Sequence, residues 1–235
     1  MRAAVVVLAA GSGSRVGAEV NKVLLPFGGT PVVARSVWVA CQVPGVTRVV
    51  LVVRDGEQDA VRQAVEPHLT DGGPEVSMVL GGTTRHRSEW SALTHLAPAI
   101  ETGEIDVVAM HDAARPLAPV ALYGAVLAAA ERVGGAIPVA HLPDLVDVDG
   151  RDLPGDPSTG SGRRVVGVQT PQAFRAADLL AAHRRAEADG FEATDTAGIL
   201  AAYTVLAVAA VDSDERNLKL TVAEDFRVAE ALTAR

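Results

Sequence analysis

A single cysteine, Cys41, stands in 235 residues. An intrachain disulfide and any paired-cysteine metal or redox motif are thereby excluded, and a reducing compartment, the cytoplasm, is the expected location. Positive charge is also short: 21 Lys and Arg face 29 Asp and Glu, a formal net charge of −8. A general nucleic-acid or anionic-membrane binder needs the opposite balance, so neither is an expected partner, although a small, locally basic pocket remains compatible. No apolar run reaches the ~20 residues of a membrane span without a charge or a glycine, no basic amphipathic helix stands out, and no signal-peptide layout is read at the start.

What is present describes a folded chain. Hydrophobic residues make up 49% and charged residues 21%, with 22 glycines and 13 prolines dispersed rather than pooled, so a single domain over residues 1–235 is expected. Short β-branched runs predict strands at Ala3–Leu8, Arg48–Val53, Val76–Leu80, Val107–Met110, Ala136–Val139 and Leu206–Val211. Alanine-rich stretches between them predict helices at Pro31–Cys41, Gln58–Val65, Arg85–Ile100, Pro119–Arg132, Ala176–Ala188, Thr196–Tyr203 and Thr221–Leu232, the last with Thr221 and Glu224 at capping-box spacing. Strands that are apolar nearly throughout, alternating with helices, predict an α/β fold with a mostly parallel sheet covered on both faces. One stretch, residues 141–167, turns to Asp, Gly, Pro, Ser and Arg and predicts a long arm, either a lid or a contact with a partner chain.

The first strand runs into "AAGSGSRVGAEVNK". Gly11 and Gly13 let backbone approach a ligand closely, and successive N–H groups there would form an anion nest. Two familiar phosphate loops fail: a Walker A loop needs Lys where Ala18 follows Gly17, and a dinucleotide fingerprint needs a third glycine where Val16 stands. The failed fingerprint disfavours a nicotinamide-dependent oxidoreductase. A solvated turn with two cations, Arg15 and Lys22, would look the same in isolation. Further motifs stand at other strand ends. "GGTTRHRS" opens a helix whose amides suit a nucleotide, though a capped helix start would read alike; "HDAARP" puts Asp112 just past a strand; "NLKLT" sets Lys219 beside the last helix. Asp112 alone is as compatible with a cap as with a metal, and Lys219 alone with a surface lysine.

Together with "VQTPQAF" and "TDTA", these segments, in this order, resemble the sugar-phosphate cytidylyltransferases, and among them the 2-C-methyl-D-erythritol 4-phosphate cytidylyltransferase family. The resemblance implies a Rossmann-like nucleotidyltransferase fold, a homodimer clasped through the arm, CTP with Mg2+, a polyol phosphate acceptor, and release of pyrophosphate. It implies catalytic roles at the triphosphate and reacting centre for Arg15, Lys22 and Lys219. Ala10, Gly11, Gly13, Gly81, Gly82, Arg85, Ser88, Asp112 and Ala113 would bind nucleotide, with Asp112 also a candidate Mg2+ ligand. Thr170, Thr194 and the arm residues Arg163 and Arg164 would face the acceptor.

That chemistry brings one polyanion to another, so it asks for cations and needs no covalent nucleophile. Accordingly, the chain has no GxSxG elbow, no cysteine-centred dyad and no HExxH helix, and its six histidines show no ligand spacing. It departs from the family pattern at several places. Asn21 replaces a proline ahead of Lys22, which is expected to loosen the loop; His141-Leu142-Pro143-Asp144 replaces Asp-Thr-x-Lys; Thr196 replaces an acidic residue; and Arg163 or Arg164 must serve for the arm arginine. Two alternatives therefore stay open at this point: transfer to another polyol phosphate such as ribitol 5-phosphate, or a catalytically weak nucleotide-binding paralogue.

Overall fold

The computed structural model describes residues 1–11, 21–141 and 166–233. Gly13, Arg15, Arg163, Arg164 and residues 142–144 of the altered arm lie outside the described residues. In chain order the elements are β1 (Ala3–Leu8), β2 (Pro26–Phe27), β3 (Thr30–Pro31), α1 (Val32–Cys41), β4 (Val46–Val53), α2 (Gln58–Val65), β5 (Glu75–Leu80), α3 (Arg85–Glu101) and β6 (Val107–Asp112). There follow α4 (Val120–Val133), β7 (Gly134–His141), β8 (Val166–Val168), β9 (Gln172–Arg175), α5 (Ala176–Asp189), α6 (Thr196–Tyr203), β10 (Ala207–Asp212) and α7 (Ala223–Thr233).

The main sheet runs β10-β7-β9-β6-β1-β4-β5, with β8 paired to β7. Side chains alternate across a strand, so β1 divides its apolar residues between two cores. Val5 and Val7 pack with α1, α2 and α4, whereas Ala4 and Val6 pack with α3, α5 and α6. Both cores need apolar residues at consecutive positions, which is why the strand sequences read as unbroken apolar runs. A third, smaller cluster joins Phe27 and Val32 to Leu220 and Ala229, docking α7 against the β2–β3 hairpin region. Among the described residues no helix is long and apolar enough to cross a membrane.

Register places the site. Leu8 of β1 lies opposite Val52 of β4 and Asp112 of β6, and Leu80 of β5 lies opposite Val53. The strands finish level, and the pairing continues one residue on: the Ala9 amide donates to Val52, Ala113 to Leu8 and Gly81 to Val53 at 2.8 to 3.0 Å. The loops after β1, β4, β5 and β6 therefore open on one edge of the sheet, where parallel α/β folds bind ligands.

Three expectations need correction. β6 continues through His111 and Asp112, because its pairing with β1 persists to Leu8; Asp112 is the last strand residue rather than one beyond. β9 is absent from the expected strands, and it runs antiparallel to both β6 and β7; four residues bounded by Pro171 and Arg175 leave no apolar run to detect. The expected Thr221–Glu224 capping box does not form. α7 begins at Ala223, and Asp225 instead accepts the Thr221 and Val222 amides. The segment expected to form an arm begins and ends in paired strands, with His141 opposite Val166.

Candidate active site

At the edge where those strands finish, the chain encloses a cleft of about 610 Å³. β1 is followed there by Ala9, Ala10 and Gly11, β4 by Arg54, β5 by Gly82, Thr83 and Thr84, and β6 contributes Asp112 with Ala114 beyond it. Lys22 enters from a single 3-10 turn, Arg85 and Ser88 from the start of α3, and Lys219 from the segment ahead of α7. A second depression of about 720 Å³, between α5 and β10, is walled largely by alanine and other apolar residues, with Asp178 and Arg185 in its lining. It lacks the converging cations that an anionic substrate requires.

Asp112 is the electrostatic focus of the first cleft. Its Oδ2 accepts from Lys219 Nζ at 2.7 Å and its Oδ1 accepts from Arg85 Nη1. Burial alone would raise its pKa, but these two cations outweigh burial and hold the carboxyl well below the usual carboxylate range. For Arg85, burial works to lower the pKa, and the carboxylates of Asp112 and Glu89 more than offset it. The Lys219 side chain is 43% exposed, so its ammonium can also meet a ligand.

The Asp112 backbone is fixed separately. Its amide donates to Thr170 Oγ1 at 3.0 Å, and Thr170 Oγ1 lies 3.2 Å from His111 Nδ1. His111 Nε2 lies 3.2 Å from the Arg115 carbonyl, which can only accept, so the ring proton sits on Nε2 and Nδ1 accepts from the Thr170 hydroxyl. Full burial lowers the His111 pKa to about 4, keeping the ring neutral near neutral pH. Asn217 donates to the Thr170 carbonyl and to Gln169 Oε1, both at 2.9 Å, while Arg115 Nη1 donates to the Asn217 carbonyl at 2.6 Å. "NLKLT" is thus stapled to the loop after β6, and that staple sets Lys219 beside Asp112.

Asn21 is held firmly at the point where the chain re-enters the described residues. It is 4% exposed; its Nδ2 donates to Glu57 Oε2 at 2.7 Å and to the Ala9 carbonyl at 3.3 Å, and its Oδ1 caps the turn by accepting from the Val23 amide. Lys22 therefore starts from a point tied to both β1 and the loop after β4. Gly81 is required by close approach: a Cβ there would stand 2.5 Å from Ala10 Cβ and 2.9 Å from Ser88 Oγ. Ser88 Oγ in turn accepts from the Gly82 amide at 3.2 Å.

Of the residues singled out from sequence, Ala10, Gly11, Lys22, Gly82, Arg85, Ser88, Asp112 and Lys219 meet in this cleft, with Gly81 packed behind Ala10 and Ser88. Ala113 does not line it. Its side chain is in the core and its carbonyl accepts from Ser36, leaving Ala114 to line the cleft. Thr170 is 4% exposed with its hydroxyl proton spent on His111, so here it braces Asp112 rather than facing a ligand. Thr194 is exposed ahead of α6 and is not among the lining residues. Sequence reading missed Arg54, for which a basic residue directly after an apolar strand was the available signal. It also missed Glu89, a buried carboxylate one position beyond "GGTTRHRS".

One known family matches the chain along nearly its whole length. The family model for IspD, 2-C-methyl-D-erythritol 4-phosphate cytidylyltransferase, matches residues 3–235. The chain belongs to this cytidylyltransferase family. A family member from Cereibacter sphaeroides is 36% identical over 246 residues, covering 100% of this chain and 98% of that protein. The bifunctional IspD/IspF enzyme of Rhizorhabdus wittichii is 38% identical over 97% of this chain, which spans only 55% of that longer protein. Among solved structures, the cytidylyltransferase of Thermus thermophilus is 28% identical with a TM-score of 0.68, each chain covered completely. The Anaerococcus prevotii 4-diphosphocytidyl-2C-methyl-D-erythritol synthase, 24% identical, shares the fold with a TM-score of 0.81 over 100% of this chain and 96% of that one.

Proposed function

We propose that the chain transfers a cytidylyl group from CTP to 2-C-methyl-D-erythritol 4-phosphate and releases pyrophosphate. The observation that carries this reading is Asp112 bracketed by Arg85 and Lys219 in a cleft that Lys22 also lines, in a chain of this family. An acceptor phosphate oxygen forms a bond to the α-phosphorus, the bond from that phosphorus to the bridging oxygen breaks, and pyrophosphate leaves with the electron pair. Charge builds up on the phosphoryl oxygens, and the preorganised ammonium groups of Lys22 and Lys219 offset it, with Arg15 as the further cation of the loop. Gly82 and Ser88, lining the cleft, would meet the nucleotide, with Gly81 allowing the close packing behind them, and Gly11 and Gly13 would admit the phosphates.

Mg2+ fits this donor set. Among the described residues no cluster of three or more His, Cys, Asp or Glu could hold a metal, but Mg2+ commonly takes one carboxylate plus substrate phosphate oxygens and water. Asp112 would be that carboxylate, and the ion would neutralise phosphate charge. Thr194, with Arg163 or Arg164 reaching across a homodimer, would hold the acceptor phosphate. The cytoplasm is the compartment where such an enzyme would work.

The test supplies CTP, Mg2+ and a panel of polyol phosphates to the purified protein and follows pyrophosphate. Release with 2-C-methyl-D-erythritol 4-phosphate at the highest kcat/KM supports the reading. Preference for ribitol 5-phosphate moves the acceptor, and no release with any acceptor overturns the enzymatic assignment.

A further inference from the structure

Arg85 reaches Asp112 from the first turn of α3, but a guanidinium at the end of a flexible side chain holds one orientation only when it is gripped elsewhere. The grip comes from Glu89, one helical turn on, whose Oε1 accepts from Arg85 Nε at 2.8 Å. Glu89 is 1% exposed, deep between α3, α5 and α6. The same Oε1 accepts from Thr196 Oγ1 at 2.8 Å, and Oε2 lies 3.3 Å from His183 Nε2. Glu89 and Asp112 thus seize Arg85 at Nε and Nη1, leaving Nη2 buried and without a partner among the described residues.

Thr196 opens α6. Its hydroxyl touches the very oxygen that holds Arg85, so a carboxylate projected from residue 196 would arrive beside the Arg85 guanidinium. We infer that Glu89 is the positioning residue for Arg85, supplying from α3 the carboxylate that fixes its guanidinium against Asp112. Removal of Glu89 frees Arg85 Nε and lets the guanidinium leave the plane in which it meets Asp112. It also leaves a half-buried cation with one carboxylate instead of two. A carboxylate projected from residue 196 would meet the same need.

The inference rests on the nucleotide-site reading above for its kinetic consequence, and on geometry alone for its structural one. Accordingly, two measurements are made on wild type, Glu89→Gln, Glu89→Val, Thr196→Glu and the double variant Glu89→Val/Thr196→Glu. The first is the Arg85 Nε–H signal in proton–nitrogen correlation spectra, with thermal unfolding as a check on folding. The second is kcat and KM for CTP. In wild type and in the double variant the Nε–H signal is expected to be sharp and slowly exchanging, in Glu89→Val broadened or lost, and in Glu89→Gln intermediate, because the amide oxygen still accepts but carries no charge. The two single variants at residue 89 are expected to lose about tenfold in kcat/KM, as for one charge-assisted hydrogen bond, and the double variant to recover most of that loss. Thr196→Glu alone crowds two carboxylates and is expected to be impaired. An unchanged Arg85 signal in folded Glu89→Val, or a folded double variant no better than Glu89→Val in both measurements, overturns the inference. If wild type forms no product, the proposed function fails by itself, and the Arg85 signal still decides the role of Glu89.

Discussion

Asp112 is supported from two sides by different physics. On the α3 side it meets charge: Arg85, itself tied to Glu89, with Thr196 and His183 behind. On the β9 side it meets neutral groups: the Thr170 hydroxyl on its amide, His111 behind that hydroxyl, and Asn217 on the Thr170 carbonyl. Charge acts through space and is less sensitive to donor direction. Short neutral hydrogen bonds depend on donor direction and fix backbone position. The ionic side thus sets the field at the carboxylate, and the neutral side sets where that carboxylate stands.

Lys219 joins the two sides, since the neutral staple positions it and its charge acts on Asp112. Lys219→Ala is accordingly expected to give the largest effect, a loss of ~10²–10³ in kcat by analogy with an oxyanion-hole donor, read by pyrophosphate release. A loss confined to KM would instead place Lys219 on the ionic side alone.

Acidification separates the sides next. His111 titrates at 6.5 when unperturbed and is lowered to about 4 in the fold. Between those values the unfolded chain binds a proton that the folded chain does not, so stability falls as pH falls through this window, by roughly 3 kcal/mol if His111 acts alone. Asp112 adds to the loss only at lower pH, because its folded pKa lies below its unfolded one. Urea denaturation at pH 7 and pH 4.5 checks this, and His111→Gln is expected to flatten the difference. An equal pH dependence in that variant would remove His111 as the cause.

Thr170→Val comes third. It leaves the Asp112 amide and His111 Nδ1 without partners and is expected to cost about 2 kcal/mol of stability, whereas Thr170→Ser is expected to cost much less. Smallest is Asn21→Ala, which removes a cap worth about 1 kcal/mol. Its signature is a raised KM for CTP through a less well-placed Lys22, and an unchanged KM would show that the Asn21–Glu57 bond serves stability only.

Much of this site is legible in the sequence because glycine and charge cluster immediately after apolar runs. "AAG", "GGTTR" and "HDA" each follow a strand, and level strand ends bring them together. What the sequence hides is directional. Ala113 sits between two residues that line the cleft and Thr170 in a segment that braces it from behind, yet both are turned to the core, and no residue type announces that turn. Glu89 reads as one polar residue in a helix of mixed character. Only the packing of α5 and α6 shows that it faces inward, and only the hydrogen bonds from Arg85 and Thr196 show what it holds. Asn21 reads as a loss of rigidity because a proline is absent, while its three partners lie at residues 9, 23 and 57.

The antiparallel strand β9 has a wider consequence. It alone bridges β6 and β7 in the sheet order, so without its ladders the sheet falls into a β5-β4-β1-β6 half and a half built on β7 and β10. Thr170 lies just ahead of this seam and Asp112 beside it. Local opening of β9 would thus dismantle the neutral support of Asp112 at the same moment as it parts the sheet. The amides of Ala173 and Phe174 are expected to exchange with solvent only through cooperative unfolding, which makes integrity of the site and integrity of the fold a single equilibrium.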